Sequence, residues 1–457
     1  MMPGKILYFS TNRNAPKVSF SEALLKGLAP DNGLYMPDHI PVLHPETLVN
    51  LSGKSYPEIA FTIARNFLNG EIADSELQQL ARDAYNFEVP LEKVIDRKYI
   101  MRLDQGPTAS FKDFAARMMG RLMQYFLQKQ NRKMLILTAT SGDTGSAIAN
   151  AFYGLDNIEV VILFPEKEVT PRQRKQMTTL RKNIKTISLQ GKFDDCQALV
   201  KQAFMDKELA HLELSSANSI NIGRLIPQSF YYFFAWTQLA SVKDAEPVIF
   251  SVPSGNFGNM MGGLLAKRMG LPVRQFVIAT NENDEVPVYW RTGYYNSIVP
   301  SRNCISSAMN VGHPSNIARV IALYGGIMDE KGNITKEPDL RQMRKDIYAV
   351  SISDKETTTI LKETYNQYGV LLEPHGAAGW AGLQQYLKDH PSDNHPEQLS
   401  ISLETANPAK FPEEIRNLLG IEPELPPSME GLDHSEESYD RLSYDYAQFR
   451  DYLKDRY

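Results

Sequence analysis

Short apolar runs alternate with longer segments of helical periodicity through most of the chain. The runs rich in Ile, Leu, Val and Phe predict strands at residues 134–138, 158–164, 184–189, 247–252, 273–279 and 399–403. Segments whose apolar positions recur at helical spacing predict helices at residues 146–153, 172–180, 193–212, 222–239, 260–269, 356–368 and 377–387. Strands that alternate with helices in this way predict an α/β fold built on parallel sheets.

Two such sets of elements predict two α/β domains with a ligand-binding cleft between them. A mixed segment precedes both sets and carries helices expected at residues 19–27 and 57–68. The predicted division is an N-terminal mixed α/β extension at 1–98, a smaller α/β domain at 99–215, a larger α/β domain at 216–421 and a C-terminal acidic, tyrosine-rich tail at 422–457.

The tail has an apolar spacing of its own. Tyr439, Leu442, Tyr446, Phe449 and Leu453 recur at helical intervals, which predicts an amphipathic helix packed on the body of the protein or on a second subunit. A frayed surface tail is the alternative, because the segment is strongly charged.

Composition and charge narrow the class of protein. The 457 residues are 42% hydrophobic and 23% charged, which is typical of globular domains. With 49 Lys and Arg against 54 Asp and Glu, the formal charge is −5, and no basic block is present that would attract nucleic acid or an anionic membrane. The most apolar stretch, residues 225–240, is interrupted by polar residues and is too short to cross a bilayer. We therefore expect no nucleic-acid or membrane partner.

The N-terminal residues and the cysteines predict a cytoplasmic location. The first twenty residues have no apolar core after a basic start, so no secretory signal is expected. The two cysteines, Cys196 and Cys304, suit a reducing compartment. Neither has a neighbour at metal-ligand spacing, so no metal site is expected.

The first segment with candidate chemistry surrounds Lys112. This lysine follows a Gly-Pro turn and lies between Phe111 and Phe114. A lysine at a helix start that simply reaches solvent is one interpretation. The other is a desolvated amine whose lowered pKa makes it a nucleophile toward a carbonyl carbon.

Two glycine-containing loops each join a strand to a helix. The first, TATSGDTGSA at 138–147, offers backbone N–H groups at a helix N-terminus, although Asp143 within it suits capping or a hydroxyl donor better than a phosphate. The second, VPSGNFGNMMGG at 252–263, contains no carboxylate and is the arrangement expected to hold a phosphate. Neither loop matches the dinucleotide or P-loop pattern. Lys112 and the two loops together form a candidate site with three parts.

These segments resemble the threonine synthase family, pyridoxal-phosphate enzymes of the tryptophan-synthase-β-like fold. The motifs that carry the resemblance are GPTASFKDFAAR at 106–117, TATSGDTGSA at 138–147, SANSIN at 216–221, SGNFGN at 254–259, EPHGAAG at 373–379 and ETANPAKF at 404–411. The resemblance runs from residue 18 to about residue 420 and leaves the tail outside. It implies the fold type II architecture, with two parallel-sheet α/β domains and an N-terminal extension.

The resemblance also implies a role for individual residues. Lys112 binds the cofactor covalently and serves as the catalytic base. The other residues implied for the cofactor are Gly255, Asn256, Phe257 and Gly258 at its phosphate and Thr405 at its pyridine nitrogen. Those implied for the substrate are Ser141, Gly142, Asp143 and Thr144 at its carboxylate, and Ser216, Asn218, Asn221 and Arg224 near its phosphate. His375 either touches these ligands or bonds backbone at a helix start, and we leave it outside the catalytic set.

The implied reaction converts O-phospho-L-homoserine and water to L-threonine and phosphate, by γ-elimination followed by β-addition of water. The implied enzyme is a cytoplasmic monomer or homodimer. Alternatives are a dehydratase of the same fold, a relative that only releases phosphate, a non-catalytic scaffold and a Rossmann oxidoreductase. Asp143 in the SGDTG loop and the ETANPAKF segment argue against a dehydratase. The intact lysine and phosphate loop argue against a scaffold.

Overall fold

The computed structural model describes residues 5–68 and 70–457. In these ranges the strands are β1 Tyr8–Ser10, β2 Tyr35–Pro37, β3 Leu91–Ile95, β4 Lys98–Arg102, β5 Met134–Ala139, β6 Ile158–Pro165, β7 Ile184–Gln190, β8 Leu214–Ser215, β9 Val248–Pro253, β10 Val273–Thr280, β11 Ile327–Met328, β12 Ile334–Lys336, β13 Ile347–Ser351, β14 Ser400–Glu404 and β15 Asp440–Ser443. The α-helices are α1 Phe20–Lys26, α2 Pro45–Asn50, α3 Tyr56–Leu68, α4 Asp74–Ala84, α5 Lys112–Gln130, α6 Asp143–Phe152, α7 Pro171–Thr178, α8 Phe193–Met205, α9 Ile222–Leu225, α10 Phe230–Leu239, α11 Gly258–Arg268, α12 Glu285–Thr292, α13 Ile317–Leu323, α14 Leu340–Asp346, α15 Asp354–Tyr368, α16 Pro374–Asp389, α17 Pro412–Leu419 and α18 Tyr446–Arg456.

The larger sheet has six strands in the order β13, β10, β9, β14, β4, β3. Its neighbouring strands run parallel from β13 to β4, and β3 joins the edge antiparallel to β4. Every residue of β9 and β14 is buried, as expected for a parallel sheet covered by helices on both faces. The apolar runs predicted as strands at 247–252, 273–279 and 399–403 are therefore confirmed as its centre.

The smaller sheet has five parallel strands in the order β15, β7, β6, β5, β8. Its central strands are the runs predicted at 134–138, 158–164 and 184–189. All of β5 is buried, and α5, α6 and α8 pack close to this sheet or to one another. The two parallel sheets confirm the predicted α/β architecture.

Two predicted helices are interrupted in the structure. The segment predicted as one helix at 222–239 forms α9, a 3₁₀ turn at Ile226–Ser229 and then α10, because Pro227 lacks the N–H that a continuous helix needs. The segment predicted at 193–212 ends as α8 at Met205, and a 3₁₀ turn capped by Asp206 follows.

The strand before Lys112 belongs to the larger sheet, although the predicted division places it in the smaller domain. Residues 99–102, assigned from sequence to the smaller domain, belong to β4, which pairs with β14 in the larger sheet with Ile100 opposite Ser402. The pairing is between segments three hundred residues apart, and the local pattern carries no information about it. Sequence analysis also overlooked β3 and β13, which are short and only partly buried.

The tail is ordered: it adds a strand to the smaller sheet and packs a helix beside it. β15 extends the sheet parallel to β7, and α18 buries Phe449 and Leu453 in the cluster that contains α8. The helix predicted from Tyr439 begins only at Tyr446, where Asp445 caps it, because Leu442 lies in the strand. The predicted packing of the tail on the body of the protein is confirmed, and the alternative of a frayed surface tail is wrong.

The carboxyl ends of three central strands lead into the segments with candidate chemistry. β5 leads to the loop before α6, β9 to the loop before α11, and β14 to residues 405–411. This edge of an open α/β sheet is where ligands are usually bound. Among the described residues, no helix combines the length and apolar character needed to span a bilayer.

Candidate active site

Lys112 is the first residue of α5, and the turn before it is fixed from within. The Asp113 carboxylate accepts hydrogen bonds from the Thr108 amide at 2.8 Å and from the Thr108 hydroxyl at 2.6 Å. The Phe111 amide donates to the Thr405 carbonyl at 2.9 Å, so the turn is also attached to the segment after β14. The larger sheet therefore positions Lys112.

The Lys112 side chain lies in a buried and charged environment. Only 14% of it is exposed, and its Nζ is 3.1 Å from Asp143 Oδ2. Burial lowers the pKa of Lys112; Asp143 opposes this shift, and Lys410 and Arg224 add to it. A lysine that simply reaches solvent is therefore the wrong interpretation, and the desolvated amine fits.

Asp143 is held between two lysines at the start of α6. Its Oδ1 lies 2.7 Å from Lys410 Nζ and accepts from Gln173 Nε2 at 2.9 Å. Burial by itself would raise the pKa of Asp143, but Lys112 and Lys410 outweigh it and lower the pKa well below its usual range. The Asp143 side chain is thus an anion paired with cations, and it would repel a substrate carboxylate. Only its backbone amide suits the predicted carboxylate contact.

Lys410 is a site residue that sequence analysis did not single out. It ends the short 3₁₀ turn Pro408–Lys410, is fully buried, and donates from Nζ to the Thr108 carbonyl at 2.9 Å. Its only signal in the sequence is its place in the ETANPAKF motif, between apolar neighbours. The residue is brought to Asp143 by the tertiary structure.

The loop before α6 uses some of its own donors internally. The Thr140 hydroxyl accepts from the amides of Gly142 at 2.9 Å and Gly145 at 2.8 Å. Gly142 has a φ of 136° and its Cα faces Gln173, so a side chain at this position would be strained. Ser141 is exposed and Thr144 half-buried, so these two residues face accessible space at the helix N-terminus.

The loop before α11 forms a cradle of backbone amides. Phe257 adopts the left-handed conformation, with φ of 63°, and α11 begins at the next residue, Gly258. A Cβ on Gly255 would lie 2.8 Å from the Ala308 carbonyl oxygen, so only glycine allows this close approach. The first amides of a helix have no intrahelical acceptor, so this loop offers N–H donors to an anion. Asn256 is exposed at its mouth.

A buried arginine connects this cradle to the 216–221 loop. Arg319 of α13 is fully buried and donates to the carbonyls of Tyr35 at 3.1 Å and Ile220 at 2.6 Å, and to the Asn316 side chain at 2.6 Å. Asn316 in turn donates from its side chain to the Asn256 carbonyl at 3.0 Å. Sequence analysis overlooked both residues, because they lie about sixty residues or more from the loops they join.

The asparagine side chains of the 216–221 loop are of two kinds. One is hydrogen-bonded within the fold, and the other has a polar atom without a partner in the described part of the chain. The Asn221 side chain is fully buried and donates to the carbonyls of Leu24 and Ser216 at 2.9 and 3.0 Å, and it accepts from the Gly223 amide at 2.9 Å. All its hydrogen-bonding capacity is thus used within the fold, which corrects its prediction as a substrate contact. The side-chain oxygen of Asn218, Oδ1, is in contrast buried without a partner in the described part of the chain.

Arg224 is a second buried cation near Lys112. It is 3% exposed, and its Nη1 donates to the Ala217 carbonyl at 2.8 Å. Its Nε has no partner among the described residues, and burial lowers its pKa to about 10. A guanidinium with an unused buried N–H suits a phosphate or carboxylate ligand.

Thr405 lies beside the turn before Lys112, and His375 lies beside the cradle. Thr405 follows β14 and is 6% exposed. His375 Nε2 accepts from the Ala308 amide at 2.9 Å, and its Nδ1 bonds to Glu373. Since Ala308 packs against Gly255, this histidine supports the cradle through a backbone bond, which confirms that alternative. Burial, followed by the nearby Glu373, raises the pKa of Glu404 well above its usual range.

Comparisons with known proteins agree along the whole chain. Family models described as "Threonine synthase N terminus", "Pyridoxal-phosphate dependent enzyme" and "Threonine synthase, C-terminal" match residues 7–85, 89–395 and 377–453. A threonine synthase of Haemophilus influenzae is 41% identical over 438 residues, which cover 96% of this chain and 97% of that one.

Two solved structures have the same fold over nearly their full length. The pyridoxal-phosphate-bound threonine synthase of Brucella melitensis has a TM-score of 0.91 and 35% identity, covering 98% of this chain and 99% of that one. The threonine synthase of Escherichia coli has a TM-score of 0.87 and 35% identity, covering 99% and 100%.

A buried lysine between two amide-rich loops, at the carboxyl edge of parallel strands, defines a pyridoxal-phosphate-dependent enzyme, and the matching family model covers all strands of both sheets except β14 and β15. Within that class, the similarity covers the N-terminal extension and the tail as well. The chain belongs to the threonine synthase family.

The residues present fit pyridoxal phosphate. The loop before α11 presents the amides of a helix start, and Gly255 lets its backbone lie so close to Ala308 that a Cβ would collide there. The primary amine needed to hold the aldehyde is buried nearby at Lys112. The Ser110 hydroxyl, in the turn before Lys112, is buried without a partner in the described ranges, as expected beside a polar ligand.

Proposed function

We propose that this enzyme converts O-phospho-L-homoserine and water to L-threonine and phosphate. The observation that carries the proposal is the buried Lys112, 3.1 Å from Asp143 at the start of α6 and attached through the Phe111 amide to the segment after β14. The loop before α11 follows β9, the strand next to β14. A substrate with a carboxylate at one end and a phosphate at the other matches the donors of the loop before α6 and the unused N–H of Arg224, while the loop before α11 suits the cofactor phosphate. The full-length similarity to proteins named threonine synthase supports the same reaction.

Five residues are proposed to hold the cofactor beside Lys112. The amides of Gly255, Asn256, Phe257 and Gly258 would bind its phosphate, and the Thr405 hydroxyl would face its ring nitrogen. When bound, pyridoxal phosphate withdraws the electron pair that remains at the substrate Cα after a proton is removed. A neutral hydroxyl at Thr405 leaves the ring nitrogen less fully protonated than a carboxylate would, which moderates this withdrawal.

Lys112 is proposed as the base that moves protons on the substrate. Its lowered pKa increases the fraction of neutral amine, which takes the proton from Cα. Loss of a second proton, from Cβ, releases phosphate with the electron pair of its bond to Cγ, and a proton is then added at Cγ. Water adds its hydroxyl at Cβ, and Cα regains a proton. Asp143 keeps the amine oriented through its 3.1 Å contact.

The two ends of the substrate are proposed to be bound by different loops. The helix-start segment 141–144 would bind the carboxylate through the Ser141 and Thr144 hydroxyls and the amide of Asp143, with Gly142 making the turn. Ser216, Asn218 and Arg224 would bind the phosphate, because Arg224 keeps an unused N–H and the Ser216 hydroxyl and the Asn218 side-chain NH2 can donate hydrogen bonds. Asn221 is not part of this set.

The test is to incubate the cofactor-loaded enzyme with O-phospho-L-homoserine and to quantify threonine and phosphate separately. We expect equal amounts of both, with no product from Lys112→Ala. Release of phosphate together with 2-oxobutyrate, and without threonine, would identify an enzyme that only eliminates. Release of neither product would leave a binding protein with this fold.

We also propose that the enzyme is a cytoplasmic monomer or homodimer. Both cysteines, Cys196 and Cys304, are buried and free, which suits a reducing compartment. Light scattering of the loaded enzyme at several concentrations would distinguish the two states, and a larger assembly would contradict both.

A further inference from the structure

Asp143 faces a second buried lysine on the side opposite to Lys112. Lys410 Nζ is 2.7 Å from Asp143 Oδ1, whereas Lys112 Nζ is 3.1 Å from Asp143 Oδ2. Lys410 is fully buried, and its position is fixed by a second bond, from Nζ to the Thr108 carbonyl at 2.9 Å. One carboxylate therefore faces two ammonium groups, and its single charge can balance only one of them.

The charged groups that face Lys112 come from three elements besides its own. Asp143 lies at the start of α6, Lys410 after β14, and Arg224 in α9. Asp113, on α5 itself, directs its carboxylate to the Thr108 amide and hydroxyl instead. Lys112 thus has one carboxylate and two cations around it. Protonation of Lys112 places an unbalanced positive charge in buried surroundings, which is costly.

We propose that Lys410 is a positioning residue that neutralises Asp143 and so leaves Lys112 as a neutral amine. Only the neutral amine has the lone pair that attacks the cofactor aldehyde or takes a proton from the substrate. Lys410 also gives Asp143 a permanent counterion when Lys112 moves away to react. The inference rests on the proposed role of Lys112.

Replacing Lys410 by methionine keeps much of its volume and removes its charge. Asp143 would then have Lys112 as its sole cationic partner, and this pairing favours the protonated form of Lys112. We expect the pKa of Lys112 to rise by about one unit, which lowers the neutral fraction about tenfold at any pH below that pKa.

The experiment measures the protonation of Lys112 in the full-length enzyme in two ways. The cofactor is removed and added back at a series of pH values, and the rate of reloading is followed by the visible absorbance of the lysine-bound cofactor. In parallel, acetic anhydride acetylates Lys112 in the cofactor-free enzyme, and peptide mass spectrometry gives the rate. In Lys410→Met both rates should reach their midpoint at higher pH and should fall about tenfold at pH values below the wild-type midpoint. Lys410→Arg keeps the charge and should retain most of the wild-type rate.

Lys267 provides a matched control. It lies in the last turn of α11, at the opposite end of that helix from the cradle, and its Nζ pairs with Asp346 at 2.9 Å. Lys267→Met removes a lysine from a comparable ion pair and should leave both midpoints unchanged. A folded Lys410→Met enzyme with the wild-type midpoint would overturn the proposal.

A second pair of variants separates neutralisation of Asp143 from direct repulsion between the two lysines. In Asp143→Asn only the repulsion of Lys112 by Lys410 remains, so adding Lys410→Met to Asp143→Asn should shift the Lys112 midpoint less than Lys410→Met shifts it in the wild type. Equal shifts with and without Asp143 would contradict the proposal. If Lys410→Met does not fold, Lys410→Gln replaces it in both backgrounds. The proposed function fails separately, if Lys112→Ala still forms the visible absorbance band of a lysine-bound cofactor.

Discussion

Single residues in this site differ in whether their polar groups remain available to a ligand. Asn221 and Asn218 lie three positions apart in one motif, yet the first has used every donor and acceptor and the second has a buried, unpaired oxygen. The same role was predicted for both from the sequence, since both belong to the SANSIN motif. Hydrogen-bond partners separate them, and Asn221 is a structural residue.

The two asparagines should therefore respond differently to substitution by alanine. Asn221→Ala leaves buried groups of Leu24, Ser216 and Gly223 unpaired, and we expect it to lower the free energy of unfolding by about 1–3 kcal/mol. Its kcat/KM should change little. Asn218→Ala should raise KM for the phosphorylated substrate and leave stability nearly unchanged. Urea unfolding and steady-state kinetics of both variants measure these effects. A normal stability and a raised KM in Asn221→Ala would instead identify Asn221 as a substrate-binding residue.

Asp143 predicts a particular dependence of stability on pH. Its pKa lies well below the unfolded value of about 3.9, so its charge stabilises the fold fully above that value, and the contribution is lost as the pH falls through the native pKa. The difference in unfolding free energy between the wild type and Asp143→Asn should be constant above about pH 5 and shrink below about pH 4. Urea titrations at several pH values measure it. A difference that grows on acidification would contradict the assignment.

At the scale of elements, α13 holds together two loops that come from distant parts of the chain. Arg319 donates to the carbonyls of Tyr35 and Ile220, and its neighbour Asn316 holds the carbonyl of Asn256. The arginine has no carboxylate partner in the described structure, and burial lowers its pKa to about 9. Its role is therefore to bind main-chain carbonyls, which fixes the loop before α11 relative to the 216–221 loop.

Arg319→Met should weaken cofactor retention as well as stability. The variant leaves several buried carbonyls without donors, so we expect a loss of about 3 kcal/mol in unfolding free energy. The dissociation constant for pyridoxal phosphate, measured from the visible absorbance, should rise, and Arg319→Lys should recover part of the loss. Arg268, 39% exposed in its side chain, is the control, and Arg268→Met should bind the cofactor normally. Equal binding by both variants would exclude this role for Arg319.

At the scale of the whole molecule, the tail closes the chain onto the smaller sheet. β15 adds a parallel strand beside β7, and Arg174 and Arg181 of the smaller domain pair with Glu437 and Glu436 just before it. Phe449 and Leu453 of α18 are completely buried. The tail is thus part of a core that also supports β5 and the loop that follows it.

Phe449→Ala should destabilise the smaller domain. Removing a fully buried phenylalanine costs about 3–5 kcal/mol, because it creates a cavity as well as losing apolar burial. Tyr444→Ala removes a side chain that is 52% exposed, and we expect a change of less than about 0.5 kcal/mol. Denaturant unfolding of both variants gives the comparison. Similar midpoints would show that the tail does not contribute to this core.

The sequence by itself determined the α/β class, the central strands of both sheets, Lys112 and the two amide-rich loops, because these follow from local patterns of apolar spacing and turn residues. Only the tertiary structure decided which partners those residues meet. It placed Lys410 beside Asp143, although the two residues are 267 positions apart in the chain. It also paired the side chain of Asn221 with groups of the fold and added the tail to the smaller sheet as a strand. Pairing between distant segments depends on three-dimensional packing and complementary charge, and neither is encoded in the spacing of neighbouring residues.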